Sequence, residues 1–521
     1  MTMENNPLQD VLQLFYQIIT IPHGSGNTSE MCAFLQSFIK AQNYTIKIDT
    51  HGNILAFKEG ERPKICFQSH YDMVCVGMVA KKFPPKLLEN KIQNGNIMQT
   101  WLNAQDSSLG ADNGMGLAIM LYCMKNQMNA EFLFTNNEEI GMIGAKNLEI
   151  PIQSKILLNL DSEVLGEITI SCAGGYDLAY TTHFEVEKVL PNQYYYVLQS
   201  HNFAGGHSGI DIGNSAPNYR NAILESAKFL YNGLQQYIIK PSISIINWQG
   251  GEKRNSIPTN SKIIFASEQK LNFQPNEFFT ISELENINNR RIKQVNEAFL
   301  QPPQGLNFNI LYEFLQNIKI GVLQRDNNDM IQNSRNLSHI SFANGILSLS
   351  FMGRANTKSL LDENLVTLKE SLQQSLPKQK IESTIIESSE YYAPWEKQQD
   401  FDYQTFYKYS EKYLSAYSQD YIKSGNTENI TNFMHTLSIL YQSMAVHTQA
   451  FHITPKIVEL HAGLECGILL AKFREMGLDD IVSLSIGPTI QFPHSTKERV
   501  WIESVGVVIS ILQDFVARIY D

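Results

Sequence analysis

Five loops of this chain carry side chains able to hold a metal ion. His70 and Asp72 form an H-x-D pair closing the run KICFQS, and Asp112 lies in LGADNGMG. Glu138 and Glu139 follow EFLFT, Asp161 ends the apolar run ILLNL, and His494 stands in GPTIQFPHS. Four of these loops directly follow an apolar strand or open a helix, the place where an open α/β sheet builds its sites. In an extended segment His70 and Asp72 point the same way, so one can bind metal while the other orients it. Taken singly, each signal is weak: H-x-D fits a satisfied surface histidine, Asp112 fits a helix cap, and an isolated EE pair fits two solvated carboxylates. Adjacent acids beside a buried strand nevertheless repel each other unless a cation or proton compensates. Together the set offers two histidines, three carboxylate ligands, a spare glutamate and an orienting aspartate, enough for two zinc ions sharing a bridging carboxylate. A structural zinc site would favour cysteines. Paired zinc ions suit hydrolysis, with the spare glutamate as base.

The elements that must position these loops read as α/β. Leu8, Val11, Leu12, Phe15, Ile18 and Ile19 share a helical face over residues 8–19, which Pro22 stops, and a second helix follows Asn27, with Glu30 completing a cap. Two strands flank the turn Asp49–Gly52, and Ile65, Cys66 and Phe67 lead into His70. A helix over Met115–Met124 and strands over Glu131–Thr135 and Ile156–Leu160 continue the rhythm, which implies a mixed or largely parallel sheet flanked by helices. Over 176–389 the texture changes to alternating strands, such as Ser242–Ile245 and Leu347–Phe351, with a helix from Pro217 onward, and predicts an inserted α+β domain. A strand at Val482–Ile486 and a helix at Ile502–Ile519 return to the first style. The expected organisation is a catalytic domain of 1–175 and 390–521 interrupted by a second domain at 176–389.

A length of 521 residues suits two domains, and 43% hydrophobic with 18% charged residues is ordinary globular composition. The net charge of −11 gives no general drive toward nucleic acid or anionic lipid. The start MTMENNPLQD has neither the basic segment nor the apolar run of a secretory signal, and no stretch approaches the roughly 20 apolar residues of a membrane span. A cytoplasmic location is therefore expected. Six cysteines without paired spacing read as reduced; for Cys172 and Cys466, in glycine-rich turns, a reactive thiol competes with plain packing.

In order, SHYDMV, LGADNGMG, NNEEIGMIGA, LNLDSE, AGGHSG, HAGLECG and FPHS resemble the aminoacyl-histidine dipeptidases, of the dinuclear-zinc clan that also holds aminoacylases and carboxypeptidases. The resemblance runs from LFYQIITIPHGSG to WIESVG; residues 270–330 and 400–450 match poorly. It implies that His70 and Asp161 hold one zinc, Glu139 and His494 the other, with Asp112 bridging; cobalt or manganese are substitutes. It also implies Glu138 as general base and acid, Asp72 hydrogen-bonded to the far nitrogen of His70, and a cis bond between Asp112 and Asn113. The inserted domain would be a lid that closes over a dipeptide and forms a homodimer. There His207 would meet the oxyanion, and Arg254, Asn255 and Arg354 would take the substrate carboxylate. His461 and Glu465 would contact substrate termini or support the metal shell. Two departures stand out, extra residues over about 405–445 and the amide-rich lead-in NNEE.

Three other readings compete. A related dinuclear-zinc hydrolase of N-acyl amino acids or longer peptides would share the same ligands. An inactive binding protein would show gaps among them, and every position is filled. A thiol hydrolase using Cys466 with the nearby His461 would leave five metal donors without purpose.

Overall fold

Strands buried on both faces organise the sheet that carries the five loops. In the computed structural model, which describes residues 6–189, 193–284, 303–327, 329–374, 381–398, 401–415 and 432–521, the strands Ile65–His70, Glu131–Thr135, Ile156–Asn159 and Val482–Ser485 are buried throughout. That burial is why they read as nearly continuous apolar runs. They pair in parallel, with Glu131–Thr135 beside Ile65–His70, then Ile156–Asn159, then Val482–Ser485. Ile54–Phe57 and Thr45–Ile48 extend one edge in antiparallel fashion, and Glu167–Cys172 and Lys456–Leu460 extend the other, giving an eight-stranded mixed sheet among the described residues.

Contacts divide the chain into two compact units, the first comprising Met1–Cys172, Lys397–Glu459 and Leu464–Asp521, the second Ala173–Glu396 and Leu460–Gly463. In the first, the helices Pro7–Ile18, Ala111–Lys125 and Ile502–Tyr520 bury Phe15, Leu117 and Val508 in one core. Pro7 opens the first of them at a position where a missing N–H costs nothing. The helix Ser29–Ala41 starts from Thr28 without a side-chain cap bond, so Glu30 is an acid in its first turn and not a capping partner. Of the segment 405–445, the described parts are in the helices Tyr403–Ser415 and Asn432–Thr448, which bury Phe406, Phe433 and Leu437 in the same core; residues 416–431 lie outside the described residues.

The second unit is α+β. Its central sheet runs Phe279–Glu283, Tyr194–Ser200, Ser261–Ser267, Ile243–Gly250, Ile331–Ala343, Ile346–Ala355, Gly174–Phe184, Ile381–Tyr392, with antiparallel neighbours throughout. The helices Ala222–Leu234, Phe308–Gln316 and Lys358–Gln374 bury Leu230, Phe314 and Leu368 against it. Pro217 opens only a single 3-10 turn, Pro217–Tyr219. The α-helix begins after Asn221, whose side chain accepts the N–H groups of Ile223 and Leu224. Among the described residues no helix is long and apolar enough to cross a membrane.

Candidate metal centre

The four parallel strands share a carboxyl edge, and the donor loops leave from it. His70 ends its strand; Glu138 and Glu139 follow Thr135, Asp161 follows Asn159, and His494 follows Ser485 by a longer loop. Asp112 arrives from the start of the helix Ala111–Lys125, where Asp112 (φ −86°, ψ 109°) and Asn113 (φ −106°, ψ 31°) are not yet helical and share a cis peptide bond. Gly110, at φ 74°, turns the chain into this position. At Gly116 a Cβ would collide with the Asn113 side chain and the Leu160 carbonyl, so the helix approaches the strand end only because that residue is glycine.

Asp112 stands between the histidines. Its Oδ1 is 3.2 Å from His70 Nε2 and its Oδ2 is 2.9 Å from His494 Nε2. Asp161 Oδ1 is 3.4 Å from the same His70 nitrogen, and Glu139 Oε1 is 2.9 Å from the same His494 nitrogen. Among the described residues three overlapping donor groups result, His70–Asp112–Asp161, Asp112–Glu139–His494 and His70–Glu138–Glu139, each with its atoms within 4.8 Å of one another. Crowding of buried acids sets their electrostatics. Burial pushes Glu139 up to about 7, with Asp112 adding to it, and burial and Glu139 hold Glu138 well above the usual carboxylate range. Burial also raises Asp161. Burial opposes charge on the histidines too, yet Asp161 and Asp112 raise His70, and Glu139 and Asp112 push His494 up to about 12. Asp112, between two imidazoles, falls below its ordinary value against the effect of burial. A cluster that draws this much positive charge, built of imidazole nitrogens and carboxylate oxygens with one carboxylate shared, fits a pair of divalent ions.

No protein-family profile matches the chain. It is 27% identical to cytosol non-specific dipeptidase of Escherichia coli (strain K12), over 98% of each chain. The chain is a relative of that dipeptidase over nearly the whole length of both. Its fold is that of aminoacylhistidine dipeptidase from Vibrio alginolyticus, with a TM-score of 0.62, 22% identity, and coverage of 99% of this chain and 97% of that one. A tripeptidase from Staphylococcus aureus has a TM-score of 0.54 at 14% identity, with 98% and 99% covered.

In this dipeptidase relative, main-chain N–H groups fix the donor loops. The Asp72 carboxylate is 3.5 Å from His70 Nδ1, whose 3.0 Å partner is the Asp72 carbonyl oxygen. The carboxylate instead accepts the N–H of Glu138 (2.9 Å) and Glu139 (3.3 Å) and the Ser25 hydroxyl (2.7 Å). It therefore orients the acid loop, and its peptide orients His70; an H-x-D pair does both once the chain turns after the strand. Burial raises Asp72, but His70, Ser25 and the Glu138 N–H outweigh it and hold the carboxyl below its ordinary value. The NNEE lead-in is also occupied: Asn137, at φ 55°, accepts the Gly26 N–H at 2.6 Å, and Asn136 donates to the His51 carbonyl at 3.0 Å.

Behind these side chains lies a row of polar groups. Gln68 accepts from Asn159 (2.6 Å), and Asn159 accepts the Asp161 N–H (3.1 Å). Glu465, fully buried, takes the Gln68 amide (2.7 Å) and the Thr135 hydroxyl (2.6 Å) on one oxygen, and burial pushes its carboxyl up to about 7. Gln68 and Asn159 were visible as polar residues inside apolar runs. Glu498 gives no such signal, and Glu163, in LNLDSE, is pushed well above its ordinary value by burial and Asp112. Cys172 and Cys466 are buried, and burial raises the Cys466 thiol well above its ordinary value, which disfavours the thiolate that a nucleophile needs.

The remaining site candidates belong to the second unit. Arg354, 3% exposed, donates to Tyr392 Oη at 2.9 Å and to His207 Nε2 at 3.2 Å. His461 bonds Ser334 Oγ (2.7 Å) and Asn356 Oδ1 (2.9 Å), and burial, then Arg354, lowers it to about 3. Arg254 pairs with Asp177 at 2.8 Å, and Asn255 accepts the Ser208 N–H through its carbonyl.

Proposed function

We propose that this chain is a metal-dependent dipeptidase that uses two divalent ions, zinc first and cobalt or manganese as substitutes. The observation that carries it is Asp112, whose two oxygens face two different histidines, each with a further carboxylate beside it. His70 and Asp161 would hold one ion, Glu139 and His494 the other, and Asp112 both. Bound there, such a pair lowers the pKa of an attacking water and polarises the scissile carbonyl. Glu138 takes the proton of that water on its carboxylate and delivers it to the departing amine. Burial beside Glu139 suits it to holding that proton between the two steps. Asp72 keeps the Glu138 main chain still while the carboxylate works.

Substrate recognition we assign, from the resemblance, to His207, Arg254, Asn255, Arg354 and His461 of the second unit. An arginine such as Arg354 pairs both oxygens of a terminal carboxylate. The same resemblance is the ground for a homodimer formed through residues 176–389 and for a cytoplasmic enzyme. Hydrolysis of a panel holding β-alanyl-histidine, other dipeptides, tripeptides and N-acyl amino acids, by metal-reconstituted protein, tests the reading. Dipeptides are expected to be cleaved and chelation to stop it. Preference for N-acyl amino acids would move the chain to a sister activity, and dipeptide cleavage that survives chelation would end the metal mechanism.

A further inference from the structure

The loops that carry Asp112 and His494 come from opposite ends of the first unit's sequence, and one side chain joins them. Glu498, 2% exposed, accepts four consecutive main-chain N–H groups: Leu109 at 2.7 Å and Gly110 at 3.0 Å on one oxygen, Ala111 at 2.7 Å and Asp112 at 3.2 Å on the other. These N–H groups belong to the turn that leads into the helix Ala111–Lys125, where Gly110 is left-handed and Asp112 not yet helical, so no regular helical ladder takes them up and the buried carboxylate does. Because the Asp112 N–H is among them, Glu498 holds the backbone from which the shared carboxylate projects. Glu498 is itself tied into the His494 turn, through its N–H to the Ser495 carbonyl at 3.2 Å.

We propose that Glu498 is a positioning residue that sets the spacing of Asp112 and His494, now 2.9 Å apart, and so controls how tightly the ion shared by Asp112, Glu139 and His494 is held. This rests on the metal-centre reading above. Glutamine is a poor substitute, because its amide nitrogen would face N–H donors and leave one pair of them buried without an acceptor.

The test uses full-length wild type and Glu498→Gln, stripped with a chelator and then titrated with Zn2+ by calorimetry and with Co2+ by visible absorption. Wild type is expected to take up two ions. The variant is expected to bind the ion of Asp112, Glu139 and His494 about 10- to 100-fold more weakly, with an altered Co2+ spectrum, and the other ion, which shares only Asp112, with a smaller loss. Two ions at wild-type affinity with an unchanged spectrum would overturn the inference. A wild type that binds no ion would instead overturn the metal-centre reading. Hydrogen exchange on chelated wild type needs no variant: the amides of Leu109–Asp112 are expected to stay protected, and rapid exchange there sinks the role of Glu498 even if the variant does not fold.

Discussion

The Asp72 carboxylate accepts the Glu138 main-chain N–H at 2.9 Å, so a side chain beside one histidine holds the loop of the proposed base. Asp72→Ala frees that loop and removes the nearer acceptor of the Ser25 hydroxyl, leaving it the Met73 carbonyl at 3.2 Å. It should lower kcat and metal affinity together, each by about 10- to 100-fold, the usual scale for a partner behind a metal ligand. Kinetics alongside metal analysis of the dialysed variant check this. A variant with normal metal content and normal kcat would show that the loop holds its position unaided.

Glu138→Gln separates proton transfer from binding. The amide keeps the shape of the side chain, and the loop remains anchored through its main chain. A fall in kcat of about 10²- to 10⁴-fold is expected, the range of general acid–base catalysis, with KM and bound metal close to wild type. Should KM carry the whole loss, Glu138 binds substrate and some other group moves the proton.

Much of the centre is legible in sequence because three of its loops end apolar runs: KICFQS before His70, EFLFT before Glu138 and Glu139, ILLNL before Asp161. The α/β rhythm follows from those same runs. What stays hidden is held by backbone. The partners of Glu498 are four N–H groups, which have no residue identity, and Glu498 lies 386 positions after Asp112 along the chain. The second role of Asp72 is hidden for the same reason, since it grips main chain where spacing suggested only an imidazole. Pro217 misleads because proline suits the first turn of any helix, and only the side-chain bonds of Asn221 mark where the longer helix begins.

Metal chemistry and thiol chemistry are separable by reagent. Iodoacetamide should leave the native enzyme's activity unchanged at Cys466, which is fully buried with burial raising its thiol, whereas a chelator should abolish it reversibly. Activity lost in step with alkylation of Cys466, mapped by mass spectrometry, would revive the thiol mechanism.

Glu465 makes the chelated protein's stability depend on pH. Burial raises its carboxyl from an ordinary 4.5 to about 7, so the folded state holds a proton that the unfolded chain has released. Its favourable contribution is complete below pH 4.5 and is lost as pH rises through 7, up to about 3 kcal/mol on that shift. Glu465→Gln, a permanent stand-in for the protonated acid, should flatten the slope between these limits. Urea midpoints at pH 5 and pH 7.5 that move equally in both proteins would assign the slope elsewhere.

In the second unit, Arg335 is 2% exposed and its bonds go to neutral groups: the Asn364 side chain at 2.7 and 2.9 Å, the Asn364 carbonyl at 2.6 Å, the Lys319 carbonyl at 3.2 Å and Thr367 Oγ1 at 3.1 Å. Asn364 also accepts the Tyr176 hydroxyl at 2.7 Å and donates to Asn333 and Ser334, so it pins the helix Lys358–Gln374 to the sheet. The two residues are not equivalent. Arg335→Met removes a buried charge together with its desolvation cost and leaves neutral acceptors unpaired, whereas Asn364→Ala leaves a guanidinium buried without its main acceptor. Asn364→Ala should therefore be the more damaging, by about 3 kcal/mol or more against wild type, with Arg335→Met in between. Urea unfolding of the three proteins gives the order directly. If Arg335→Met unfolds at the lowest denaturant, packing of the long side chain outweighs its hydrogen bonds, and the helix is held by apolar contacts such as Leu361 and Leu368.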